Sequence, residues 1–307
     1  MTLTLAVCLK AAWRTDVAVR LSASGNAVRP DGAEPGLTAP DSGALACALS
    51  LCRSLRDGGR DVHVFALTVG PAVADGVLRT ALAAGADEVL RVWPASWPRP
   101  SPPDLDGSGT GTRIRARLAG DALRGLLARG PLLVLAGEAS TDEGHAVFGA
   151  ALAHALGLGF AHRATHLEAH ADGWLARVKL ERGYTQELPL EAAAVVTLAG
   201  PGPRLAEATW PAWLASRTAP IPVLETEPAD PSRLGPPAAT ALRAPLPRVK
   251  RFRVPDSTQP AEVRIRALLG SSPQGGGAVV PASEGAERQA EAIVALLKQR
   301  GYAPAAP

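Results

Sequence analysis

The chain has 307 residues, is 47% hydrophobic and only 20% charged, which excludes wholesale disorder and leaves room for one large domain or two modest ones. Its net charge of +3 comes mostly from scattered arginines, with no basic run interleaved with aromatics, so nucleic-acid binding is not expected. Three cysteines, Cys8, Cys47 and Cys52, form no CxxC pair and no disulfide framework, and read as buried thiols in a reducing cytoplasm.

In chain order, Leu3 to Leu9 is a first apolar strand closed by Lys10. No basic region precedes it, so it is not read as a signal peptide, and no apolar run reaches ~18 residues, so no membrane insertion is expected. Val17 to Leu21 and Ala27-Val28 flank a turn and read as a hairpin-like excursion. Ala39-Pro40-Asp41-Ser42 resembles a helix start, with Pro40 in the first turn and Asp41 or Ser42 as cap. Leu45, Leu49, Leu51, Cys52 and Leu55 continue it as a helical stripe that stops at Gly58-Gly59. Val62 to Val69 is a second buried strand, Val73 to Ala84 a helix ended by Gly85, and Val89 to Val92 a third strand. Strand, helix and strand with short links imply a right-handed parallel unit. Trp93 to Gly111 is a Pro- and Gly-rich loop, and Ile114 to Ala128 the next helix.

The central stretch is Pro131 to Gly149. Leu132 to Leu135 reads as a strand buried on both faces; Gly137, a small polar loop and an apolar segment to Leu156 follow. Strand, glycine turn and helix start place this loop where open α/β sheets bind ligands, and where backbone N–H groups hold phosphate. A plain strand-to-helix turn has the same local pattern. Strands then follow at about Ala164 to Ala169, Leu175 to Leu180, Glu187 to Leu190 and Val195 to Leu198. Gly200 to Pro211 reads as loop, and Trp213 to Pro222 as a segment leaving the globule. Residues 225–260 read as an extended arm carrying Arg248, Lys250, Arg251 and Arg253, suited either to an acidic partner surface or to a solvated linker. Ala286 to Gly301 is an amphipathic helix with Ile293, Leu296 and Leu297 on one face.

Several site signals do not develop. His162, His166 and His170 are four apart but lie in strand-like sequence, so a metal centre is not expected there. No G-x-S-x-G elbow occurs, and Gly137 to Gly144 lacks the Gly-Lys-Ser/Thr ending of a P-loop. No nucleophile–base pair is evident, and no catalytic residue is assigned.

Four stretches carry a family resemblance. They are Ala6 to Lys10 (AVCLK); Ala39 to Leu51; Val64 to Pro71 with Leu78 to Val92 (LRTALAAGADEVLRV); and Val178 to Thr197, with Glu181, Gly183, Gln186, Leu188 and Val195-Val196-Thr197. In this order and spacing they resemble the β subunit of electron transfer flavoproteins, over about residues 3 to 225, and the C-terminal helix also fits that family's end. The resemblance implies a doubly wound, mostly parallel α/β sheet with helices on both faces, Rossmann-like and nucleotide-binding, over residues 1–224. Residues 225–307 would be an extended arm and terminal helix packing on a partner.

The resemblance further implies a cytoplasmic, non-catalytic electron-carrier subunit in a heterodimer with an α subunit that bears FAD, and a partner dehydrogenase. It implies a structural adenine nucleotide, usually AMP, and in bifurcating relatives a second FAD. By position that pocket is lined by Cys8, Ala39, Pro40, Asp41, Ser42, Val69, Gly137, Glu138, Asp142, Gly144, His145, Ala146, Val147 and Phe148. The chain departs from the family at Ala146-Val147-Phe148, where polar donors to the phosphate are usual, and Phe148 is large enough to fill the cavity. The loop Gly200 to Glu207 also lacks the family's Asn-Glu-Pro-Arg-Tyr run, which points to a dedicated partner, with Trp210 and Trp213 as interface anchors or as ordinary core. These departures suggest a specialised branch, such as one serving a peptide-derived redox cofactor of the mycofactocin type. A nucleotide-free structural partner and a nucleotide-hydrolysing or ligase enzyme on a related fold are the alternatives.

Overall fold

The computed structural model describes residues 2–13, 19–21, 28–30, 35–94, 112–142, 144–170, 172–200, 202–226, 257–268 and 285–299. It divides into two compact units, residues 1–244 and 245–307.

The first unit opens with β1 (Leu3–Cys8), whose Leu5, Ala6 and Val7 are fully buried. Two small antiparallel pairs follow, β2 (Ala11–Ala12) with β5 (Gly36–Leu37) and β3 (Val19–Leu21) with β4 (Val28–Pro30); the second pair is the expected hairpin excursion. Helix α1 (Ala39–Asp57) starts at Thr38, whose hydroxyl accepts the Asp41 N–H at 3.2 Å. The cap is therefore Thr38 rather than Asp41 or Ser42: a cap needs extended backbone, which Thr38 has, while Asp41 is already helical. Next come β6 (Val62–Val69), α2 (Asp75–Ala84), β7 (Glu88–Val92) and α3 (Thr112–Leu127). Gly85 ends α2 in the left-handed region, φ 112°, and its N–H donates to the carbonyls of Ala81 and Leu82.

The remaining elements are β8 (Leu132–Gly137), α4 (Phe148–Leu156), β9 (Gly159–His170), β10 (Gly173–Lys179), β11 (Thr185–Leu190), β12 (Ala194–Leu198), α5 (Trp210–Thr218) and β13 (Val223–Leu224). They build a nine-stranded sheet in the order β11-β10-β9-β12-β8-β1-β6-β7-β13. From β9 to β13 every pairing is parallel; β10 and β11 extend one edge antiparallel. Alternation along the strands divides the core in two. Leu5, Val7, Val64, Leu133, Leu135 and Val196 face α1 and α2, while Ala6, Cys8, Leu67, Val134 and Val195 face α3 and α4. Burial on both faces is why these strands are unbroken apolar runs. This is the expected doubly wound, mostly parallel α/β fold.

Residues 213–222 do not lead out of the globule. Helix α5 packs on α2, and Arg79 Nη1 donates to the carbonyls of Ser216, Arg217 and Ala219 at 2.6, 2.8 and 3.0 Å, at the helix end where carbonyls lack intrahelical partners. The chain then returns as β13 beside β7. Of the expected arm, residues 227–256, with its four basic side chains, lie outside the described residues. The second unit contains α6 (Ala261–Leu268), which the Pro-rich surroundings concealed, and α7 (Gly285–Gln299), the expected amphipathic helix with Ile293 and Leu297 exposed.

The Gly-Ala-Asp that ends α2 has a structural role. Asp87 Oδ2 accepts the Val64 N–H at 2.7 Å and the Arg56 guanidinium at 2.7 Å, pinning the start of β7 to β6. Replacing Asp87 with Ala leaves that strand N–H without its acceptor and is expected to cost about 1–3 kcal/mol. Urea denaturation reads this as a lower midpoint at unchanged slope; an unchanged midpoint contradicts the assignment.

Candidate functional site

Strand β1 lies between β6 and β8: the chain winds outward through β6 and β7, then crosses back to β8. That reversal makes a crevice beyond the carboxyl ends of β1 and β8, the place where open parallel sheets take ligands. A cavity of about 80 Å³ lies there. Its walls are Cys8, Leu9 and Lys10 after β1, Leu67 and Val69 of β6, Ala136 to Ser140 after β8, Asp41 of α1, Thr112, Arg115 and Ala119 of α3, and His145 to Phe148 leading into α4.

Nine of the residues expected at the pocket therefore line one cavity: Cys8, Asp41, Val69, Gly137, Glu138, His145, Ala146, Val147 and Phe148. Ala39, Pro40 and Ser42 stand in the first turn of α1 beside it, outside its lining. Asp142 and Gly144 belong to the loop above it, also outside the lining. The sequence reading missed Lys10, Leu67, Thr112 and Arg115 among others. A helix that follows a parallel strand begins at the carboxyl edge of the sheet, so the first turn of α3 belongs at the crevice; the long loop before it hid that signal.

Asp41 ties the crevice together. Its Oδ2 accepts the Lys10 N–H at 3.0 Å and its Oδ1 the Gly137 N–H at 3.1 Å. Burial pushes its carboxyl up to about 6, against the pull of these hydrogen bonds and of Lys10. Gly137 must be glycine: a Cβ there would lie 2.6 Å from Pro40 Cβ, 2.7 Å from Asp41 Oδ1 and 2.9 Å from the Pro40 carbonyl carbon. Burial, then the Asp41 charge, holds the Cys8 thiol far above its ordinary range, so it stays protonated and is a poor nucleophile.

The loop above the cavity is held at its start and in its middle. Lys10 Nζ pairs with Asp142 Oδ1 at 2.8 Å. The Glu138 carboxylate accepts the Gly200 N–H at 3.1 Å, with Arg163 Nε at 3.5 Å. Ala146, at φ 54°, takes the left-handed region rare for a residue with a side chain. Val147 is the N-cap of α4 and supplies no side-chain hydrogen bond, so no cap side chain serves the first-turn N–H groups of that helix. Phe148 packs on the α3/α4 core while forming one wall of the cavity.

The three spaced histidines lie on β9. His162 Nδ1 is 3.0 Å from the Thr197 hydroxyl at an irregularity in the β9–β12 register, and His166 lies 3.4 Å from Glu168. Among the described residues, no group of three His, Cys, Asp or Glu side chains is placed to hold a metal ion, and no helix is long and apolar enough to cross a membrane.

No family model matches the chain. It is similar to the electron transfer flavoprotein subunit beta of Methylophilus methylotrophus, with 30% identity over 140 residues, 45% of this chain and 48% of the relative. The match thus spans about half the length of that curated relative.

Two outcomes are expected at this site. Gly137→Ala forces α1 away from the end of β8 and is expected to destabilise the protein by about 1–3 kcal/mol, whereas Gly125→Ala, at a position with open space around it, should be benign in the same melting experiment. The Asp41 carboxyl titrates near 6 when folded and near ~3.9 when unfolded, so the native state holds its proton more tightly. Its stabilising contribution is full below about pH 4 and is lost as pH rises through about 6. Comparison of wild type with Asp41→Asn across pH 4–7 should show that segment flattened in the variant; parallel curves refute the assignment.

Proposed function

We propose that this chain is the β-type subunit of an electron transfer flavoprotein, a carrier subunit without catalytic residues of its own. It docks an α subunit that bears FAD and holds an adenine nucleotide such as AMP in the crevice at β1 and β8. The observation that carries this reading is the coincidence of two facts. The relative it resembles is an electron transfer flavoprotein subunit, and nine residues picked out by that likeness line one cavity at the switch point of the sheet. The fold alone is shared by many activities and does not choose among them.

The chemistry of the crevice supports binding over reaction. Its thiol is held protonated, Asp41 is committed to two backbone N–H groups, and Glu138 to Gly200 and Arg163. On the same reading, α5 is a docking face for a partner dehydrogenase. Trp210 and Trp213 stack with centroids 4.8 Å apart, are 67% and 38% exposed, and Arg217 lies over the Trp213 ring at 5.0 Å. The arm and terminal helix from residue 225 onward pack on the α subunit. The departures at residues 146–148 and 200–207 mark a divergent branch with a dedicated partner. A nucleotide-free variant of the same role is favoured by one observation: Phe148 already forms a wall of a cavity of only about 80 Å³.

Co-expression with an FAD-bearing α subunit, followed by release and chromatography of bound small molecules, tests the reading. One FAD and one AMP per heterodimer is the expected result. FAD without AMP selects the nucleotide-free form, two FAD per pair indicate a bifurcating relative, and no complex with no flavin refutes the carrier role.

A further inference from the structure

We propose that Phe148 sets the size limit of the crevice, so that it admits a single nucleotide and excludes a dinucleotide such as FAD. This rests on the nucleotide reading above and narrows the class of ligand that reading allows. Phe148 is the largest apolar side chain lining the cavity, and it also packs on the α3/α4 core. The cavity measures about 80 Å³. Pockets that enclose most of a drug-sized ligand run to about 300–1,000 Å³. One nucleotide already takes up a space of this size, so a dinucleotide needs the crevice to widen.

The backbone around the cavity does not yield. On one side, Gly137 brings the end of β8 against Pro40 and Asp41 of α1, with no room for a Cβ. On the other, α4 begins at Phe148 and packs on β9, β12 and α3. Gly149 stands directly against the sheet: a Cβ there would overlap Thr197 Cγ2 and lie 3.0 Å from Phe160 Cε2. Toward α3, a Cβ on Gly120 would lie 3.2 Å from Ala155 Cβ and 3.6 Å from Leu152 Cδ1. Helix α4 is therefore pressed against the sheet at its start and against α3 along its length, and interiors packed this closely resist displacement. With the backbone fixed on both sides, the width of the crevice is decided by the side chains between, and Phe148 is the bulkiest apolar one.

FAD contains AMP as one half, so the two ligands differ by the added half and not by the part they share. Calorimetry on the full chain, stripped of endogenous nucleotide, should show wild type binding AMP about tenfold or more tighter than FAD. Phe148→Ala should lower this AMP-to-FAD affinity ratio severalfold. Phe148→Leu, which keeps an apolar contact with the α3/α4 core, should lower it by less and remains informative if the Ala variant does not fold. A wild-type ratio near or below one, or a ratio that neither variant lowers, overturns the proposal while the nucleotide reading stands. Failure of wild type to bind either ligand overturns both.

Discussion

The first unit turns on one carboxylate. Beyond Cys8 and Ala136, the last residues that β1 and β8 pair, the two strands part to form the crevice. The N–H groups of Lys10 and Gly137 lie just past that point, and a buried N–H without an acceptor costs about 1–3 kcal/mol. Asp41 supplies both acceptors from the first turn of α1. A helix start favours negative charge, which partly offsets the cost of burying it. The bare Cα of Gly137 lets α1 come close enough for the contact to form. Strand ends, helix start and cavity floor are therefore one construction, and a change to any of the three is felt by the others.

How much of this was legible follows from what each residue answers to. The parallel strands were plain, because a strand buried on both faces has to be apolar throughout, as in Leu132 to Leu135. Helix ends at Gly59 and Gly85 were plain because their left-handed backbone, φ 78° and 112°, asks for glycine. Asp41 was recognised as belonging to the helix start but given a local task. Its partners are 31 and 96 residues away in sequence, and no local pattern encodes them. The segment after Trp210 was misread for a related reason. A nine-residue helix whose tryptophans face outward has no apolar stripe, and a two-residue strand such as β13 has no period at all.

The pocket was legible on the β8 side and obscure on the α3 side. The loop from Gly137 to Phe148 announces itself, since a strand, a glycine and a helix start occur in order. Thr112 and Arg115 reach the same cavity only because α3 runs back over the sheet from its carboxyl edge. That is a consequence of topology, available only once the strand order is known. The apolar Ala146-Val147-Phe148 and the buried Arg115 thus line one cavity from two different segments of the chain.

The crevice and the aromatic face of α5 are not independent parts. Glu138 forms part of the cavity wall, and its carboxylate holds Gly200, the first residue of the segment that runs to Trp210. Arg163 reaches the same carboxylate from a backbone conformation at φ 61°, and its N–H donates to the buried Thr197 hydroxyl at 3.2 Å. Strain of this kind persists only where neighbouring contacts fix it. The carboxyl ends of β8 and β12 and the middle of β9 are thus bound into one cluster. Arg79 closes the far end by holding the carbonyls of Ser216, Arg217 and Ala219. Helix α5 is held by the Thr209 cap at its start and by Arg79 at its end, and this lets a helix with two exposed tryptophans keep a defined surface.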